Sequence, residues 1–167
     1  MDLAAFVLLA KTCAPSVDSR TTHAIVSVES SFNPYAIGVV GDELVHQPRN
    51  EAEARATARA LRAAGVNFSA GLAQINVKEW PRLHLDERNV FEWCPNLQAM
   101  QTLLVKCFVS AGTREPNPQR ALRQALSCYY SGTFSIGFRD GYVARVERAA
   151  TAQAAGRTSR TCHRQGC

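Results

Sequence analysis

A chain of 167 residues is about one domain long, and with 46% hydrophobic and 20% charged residues it has the make-up of an ordinary globular protein. No stretch approaches the ~18 apolar residues that cross a bilayer, so an integral membrane protein is not expected. The formal charge of +5 suits an anionic partner, whether nucleic acid, a membrane surface or a cell wall, and does not choose among them.

The segment MDLAAFVLLAK places Leu3, Phe6, Val7 and Ala10 on helical spacing, which predicts a short helix ending before Pro15. Its apolar run is short and follows Asp2, so it does not read as a secretory signal. With Asp18 or Ser19 as N-cap, residues 21–30 predict a second helix with Ala24, Ile25 and Val28 on one face, stopped by Asn33-Pro34. Residues 38–50, with Gly41 and Pro48, read as a loop or short hairpin. Asn50 and Glu53 form a capping-box pattern that opens an Ala-rich helix over 51–64, with Gly65 as a left-handed cap. Arg55, Arg59 and Arg62 lie on one face of it, and their alternation with Ala reads as a solvated surface rather than a phosphate-binding stripe, so no nucleic-acid partner is expected. Later helices are marked by Pro95, by Asn117-Pro118, and by a stretch from about Ser135 to Arg148. No segment reads as a long strand. The expectation is a mainly α single domain over 1–150, carrying at most a small hairpin, followed by a mobile tail over 151–167 that includes the Gly-Arg-Thr-Ser-Arg run.

Six cysteines, Cys13, Cys94, Cys107, Cys128, Cys162 and Cys167, make an even count that leans towards an oxidising compartment. There is no C-x-x-C, and the one ligand-like group, Cys162-His163 with Cys167, is not read as a zinc site; no metal and no cofactor are expected.

Three short constellations can carry chemistry. Glu29 falls at the C-terminal end of an apolar-faced helix, where burial and the helix dipole both disfavour the carboxylate. Such an acid stays protonated near neutral pH, as acid catalysis at a glycosidic oxygen requires. Taken alone, Glu29 reads as a solvent-facing helix-end glutamate. The run Phe68-Ser69-Ala70-Gly71-Leu72-Ala73-Gln74-Ile75-Asn76 suggests a close-packed segment that aims the Gln74 and Asn76 amides at a polar ligand. Taken alone, it is a turn with buried amides. Ser127-Cys128-Tyr129-Tyr130-Ser131-Gly132 offers phenol donors and flat faces to a sugar ring, although such pairs more often pack a core or rim.

Together, Glu29-Ser30, Gly71-Leu72-Ala73-Gln74 and Tyr129-Tyr130 follow the order and rough spacing of the Glu-Ser, Gly-Leu-x-Gln and Ala-Tyr-Asn motifs of family-one lytic transglycosylases, which the chain resembles from about Cys13 to Glu147. More narrowly, the run from Ser31 to Gly41, Gln47-Pro48-Arg49-Asn50 and Asn67-Phe68-Ser69 resemble the transglycosylase component of type IV secretion systems. The resemblance implies an α+β lysozyme-like fold of goose type. It also implies a periplasmic setting, peptidoglycan glycan strands as substrate, and secretion-system periplasmic components as partners. By position, Glu29 would be the acid and then the base, Ser30 would orient it, and Gln74, Asn76, Tyr129 and Tyr130 would line the cleft. Ala73 replaces a frequent methionine, and Tyr130 stands where the family usually has asparagine, which puts that polar contact in doubt. Relatives have cysteines at the places of Cys13 and Cys94, which implies that pair and leaves Cys107 with Cys128; Cys162 and Cys167 stay unassigned.

Two other readings compete. A hydrolysing lysozyme would need a second carboxylate, for which Asp42 and Glu43 are the candidates. A non-catalytic wall-binding assembly protein would keep the fold without turnover, and an intact Glu29 argues against it.

Overall fold

The computed structural model describes the backbone of residues 2–165 and the side chains of residues 2–153. Among the described residues, seven α-helices and one small sheet follow the chain order α1 Leu3–Cys13, α2 Ser19–Ser30, β1 Ile37–Val39, α3 Glu51–Ala63, β2 Phe68–Ala70, β3 Ile75–Asn76, α4 Trp93–Gly112, α5 Pro118–Ser131, α6 Ile136–Arg139 and α7 Tyr142–Gln165. The architecture is mainly helical with a three-stranded antiparallel sheet, as a lysozyme-like domain requires.

The helix starts follow their caps. Asp2 accepts from Ala5 N at 2.8 Å, Asp18 from Arg20 N at 2.9 Å, Asn50 from Glu53 N at 3.0 Å, and Asn117 from Gln119 N and Arg120 N. The box at α3 is displaced by one residue, because Glu53 accepts from Arg49 N rather than from Asn50 N. Helix α2 ends at Ser30, as expected, and the stop comes before Asn33-Pro34: Ser31 and Phe32 both take left-handed backbone, with φ of 51° and 65°. Phe32 is anchored there by edge contact with Phe6 at 5.3 Å. The stretch expected from Ser135 to Arg148 is two helices, parted at Gly141, whose φ is +72°. Helix α7 runs on past residue 150, and from residue 154 onward the tail expected over 151–167, with its Cys162, His163 and Cys167 group, falls outside the described side chains.

The hairpin lies elsewhere than in 38–50. Strand β1 pairs with β2, thirty residues on, in the register Ile37 to Ala70 and Val39 to Phe68, and the hairpin itself is β2–β3. The loop after β1 does not return as a strand because the Gln47 side chain occupies that edge: Ile37 N donates to Gln47 Oε1 at 2.9 Å, and Gln47 Nε2 donates to Ile37 O at 2.8 Å. One amide thus satisfies both groups that a returning strand would pair.

The core gathers Phe6, Ile25, Val26, Phe68, Trp80, Leu97, Met100 and Tyr142, all essentially fully buried, with α2 packed on α7 and α4 on α5. Disulfides join Cys13 to Cys94 and Cys107 to Cys128, with Cα separations of 5.0 and 5.8 Å. On α3, Arg55 pairs with Glu51 and Arg62 with Glu87, in keeping with a solvated face.

Candidate active site

Between the sheet and helices α4 to α6 lies a cleft of about 1050 Å³ whose lining includes Glu29, Gln74, Asn76, Tyr129 and Tyr130. Five of the six site residues expected from sequence therefore share one surface. The sixth, Ser30, turns its hydroxyl to its own helix and donates to Val26 O at 3.2 Å rather than to Glu29.

Glu29 stands in the last turn of α2, and the left-handed residues that follow carry the chain away, leaving its carboxyl facing the cleft. Tyr142, at the start of α7 and 1% exposed, donates its phenol to Glu29 Oε1 at 2.6 Å. Burial pushes the Glu29 carboxyl up to about 7, even though the Tyr142 hydrogen bond and the positive charge of Arg145 act to lower it. The negative end of the α2 dipole works in the same direction as burial. Burial, and next the neighbouring Glu29, hold the Tyr129 and Tyr142 phenols well above the usual range, so both remain protonated donors. Tyr130, 43% exposed, stacks on Tyr142 with ring centres 4.6 Å apart and planes 16° from parallel, and so roofs the phenol that holds the acid.

The facing wall is the β2–β3 turn. Gly71 (φ +83°) and Gln74 (φ +49°) bend it, and the buried amide of Asn96 holds it in place. Asn96 Nδ2 donates to Ala70 O at 3.1 Å and to Val90 O at 2.8 Å, while Oδ1 accepts from Ala73 N at 2.8 Å. A side chain at Gly71 would collide with that amide. Tyr129 donates to Ala73 O at 2.6 Å, so the Ala73 backbone is gripped from both sides. Gln74 Nε2 donates to Ala36 O at 3.0 Å and Gly71 O at 2.9 Å, which leaves Oε1 beside Gly38 on the cleft wall. Asn76 is engaged locally: Nδ2 donates to Asn67 Oδ1 at 3.0 Å, and Oδ1 accepts from Lys78 N at 3.1 Å. It props the wall more than it reaches into the cleft.

Sequence reasoning missed Tyr142 and Asn96. Tyr142, with Val143 and Val146, occupies a core-facing position of α7, and a tyrosine in such a position needs a partner for its hydroxyl; that signal was present without an address. Two further carboxylates, Glu79 and Asp140, line the cleft, and each has an arginine partner, Arg82 and Arg139 respectively. Asp42 and Glu43 are exposed and are not part of the lining. Among the described residues, no group of three His, Cys, Asp or Glu side chains is arranged to hold a metal ion.

Residues 6–151 match the family model "Transglycosylase SLT domain". The chain is 47% identical over 135 residues to the "Type IV secretion system protein virB1" of Brucella abortus, a match that covers 80% of this chain and 57% of that protein. It is 38% identical over 149 residues to the "Protein virB1" of Rhizobium radiobacter, covering 88% of this chain and 61% of the relative. Against the "Protein virB1" of Agrobacterium fabrum it is 35% identical over 152 residues, again spanning 61% of the relative. The chain thus spans about three fifths of the length of the curated relatives it matches. No solved structure gives a significant match.

Proposed function

We propose that this chain, which belongs to the transglycosylase SLT domain family, is a lytic transglycosylase that cuts peptidoglycan glycan strands with Glu29 as its one acid–base group. The observation that carries this reading is the Glu29 carboxyl itself: it opens on the cleft, is held by Tyr142, and has its pKa pushed to about 7. At neutral pH it is therefore divided between acid and carboxylate, and both forms are needed in turn.

In the first step Glu29 gives its proton to the oxygen between N-acetylmuramic acid and N-acetylglucosamine, and the bond to the anomeric carbon breaks. The substrate's own N-acetyl oxygen stabilises the developing cation. In the second step the Glu29 carboxylate takes the proton from the sugar's 6-hydroxyl, whose oxygen bonds to the anomeric carbon and closes a 1,6-anhydro ring. The proton returns to Glu29 and no water is consumed. Tyr142 keeps one carboxyl oxygen fixed throughout, and Tyr129 with Asn96 keeps the turn that bears Gln74 in register for the sugar amides. Hydrolysis by two carboxylates finds less support, since Glu79 and Asp140 are each engaged by an arginine.

The printed name of one relative, "Type IV secretion system protein virB1", supports a reading in which this chain acts on the wall in the periplasm beside secretion-system components. The test is lysis of purified peptidoglycan. Glu29→Gln, nearly isosteric but unable to deliver a proton, is expected to lower the rate about 10²–10⁴-fold with the fold kept; retention of most of the rate would remove Glu29 from its role.

A further inference from the structure

The cleft is lined by three cations, Lys78, Arg82 and Lys106, and three acids, Glu29, Glu79 and Asp140. Glu79 is taken by Arg82 and Asp140 by Arg139, while Glu29 is hydrogen-bonded to Tyr142. Lys78 and Lys106 are exposed, and among the described residues neither is ion-paired. Two ammonium groups without a counter-charge thus face the cleft from two separate elements.

Both are held in place. Leu103, Lys106, Cys107 and Ser110 recur at helical spacing and all line the cleft, so α4 turns one stripe towards it, and the Cys107–Cys128 bridge ties that stripe to α5. Lys78 belongs to the 3₁₀ turn Val77–Glu79, whose start is capped by Asn76, itself bonded to Asn67 and Ser69. Asn76, which lines the cleft as expected, also caps the turn that presents this lysine.

We propose that Lys78 and Lys106 form an anion subsite that binds carboxylates carried by the muramic acid residues of the glycan, either the lactyl group itself or the acidic peptide attached to it. The proposal rests on the transglycosylase reading and adds to it a selectivity for charge on the strand. Ammonium groups on flexible stems suit carboxylates on flexible arms, since neither side imposes a fixed geometry. Exposed pairs of this kind are individually weak and screened by salt, so the expected effect is moderate and sensitive to ionic strength.

Binding is measured in a Glu29→Gln background against three probes. These are a chitin tetrasaccharide with no carboxylate, glycan strands stripped of peptide by an amidase, and strands with their peptides intact. Adding Lys78→Gln and Lys106→Gln is expected to weaken at least one charged probe about five- to tenfold more than the chitin probe. That difference should vanish as salt approaches ~1 M. A loss confined to peptide-bearing strands assigns the subsite to the peptide's carboxylates, a loss confined to stripped strands assigns it to the lactyl carboxylate that the amidase frees from its amide, and a loss on both shows that the subsite takes either. An equal change on all three probes, or no change, overturns the subsite and leaves the transglycosylase reading standing. Failure of the Glu29→Gln parent to bind any probe overturns both.

Discussion

The two walls of the cleft are built on opposite principles. On the acid side, Glu29 holds one hydrogen bond, from Tyr142, and burial keeps its ionised form costly. On the amide side, Asn96, Gln74, Asn76 and Tyr129 place nearly every polar group against protein, and the backbone at Ala70 and Ala73 is held by side chains from α4 and α5. In the proposed mechanism the contrast separates a group that changes protonation from a frame that stays still: the first is left under-satisfied, the second is saturated.

Substitutions on the frame should therefore act on stability, and those at the acid on pH behaviour. Asn96→Ala orphans three buried backbone groups and is expected to cost about 3 kcal/mol or more, read as a lowered urea midpoint. A loss near zero would mean that the turn stands without its amide.

Glu29 behaves in the opposite sense. Its folded pKa of about 7 lies above the ordinary 4.5, so its contribution to stability is fully present below about pH 4.5 and is lost as pH rises through 7. That loss amounts to about 3 kcal/mol. Glu29→Gln does not titrate, so it should gain stability over the natural protein progressively across this window. Parallel stability curves from pH 4 to 8 would contradict the burial argument.

Tyr142→Phe is the mildest of the three. It removes the hydrogen bond that holds the Glu29 pKa down, so the alkaline limb of activity should move to higher pH, with about 1 kcal/mol of stability lost. A limb displaced to lower pH would show that the phenol does not favour the carboxylate.

What the sequence disclosed follows the same division. Helix α3 with its Asn50 cap and Gly65 stop, and α5 with Asn117-Pro118, are local patterns and were legible residue by residue. The pairing of β1 with β2 was not, because α3 intervenes and Gln47 closes the near edge. Glu29 was legible through its motif and its place at a helix end, whereas its partner Tyr142 lies 113 residues away and carries no local mark. The family motif suggested that Ser30 would orient Glu29, and residue type that the Asn76 amide would face a ligand; short polar side chains also satisfy nearby backbone, and here both do so.

The central claim is that one acid, without a second free carboxylate, closes an internal ring on the sugar. Mass spectrometry of muropeptides from digested peptidoglycan tests it directly. The account predicts ends in 1,6-anhydro-N-acetylmuramic acid, because a positioned 6-hydroxyl with an effective molarity of about 10⁵ M or more outcompetes water. Reducing ends, each heavier by one water, would contradict it and turn attention to the Arg-paired Glu79 and Asp140 as the second carboxylate.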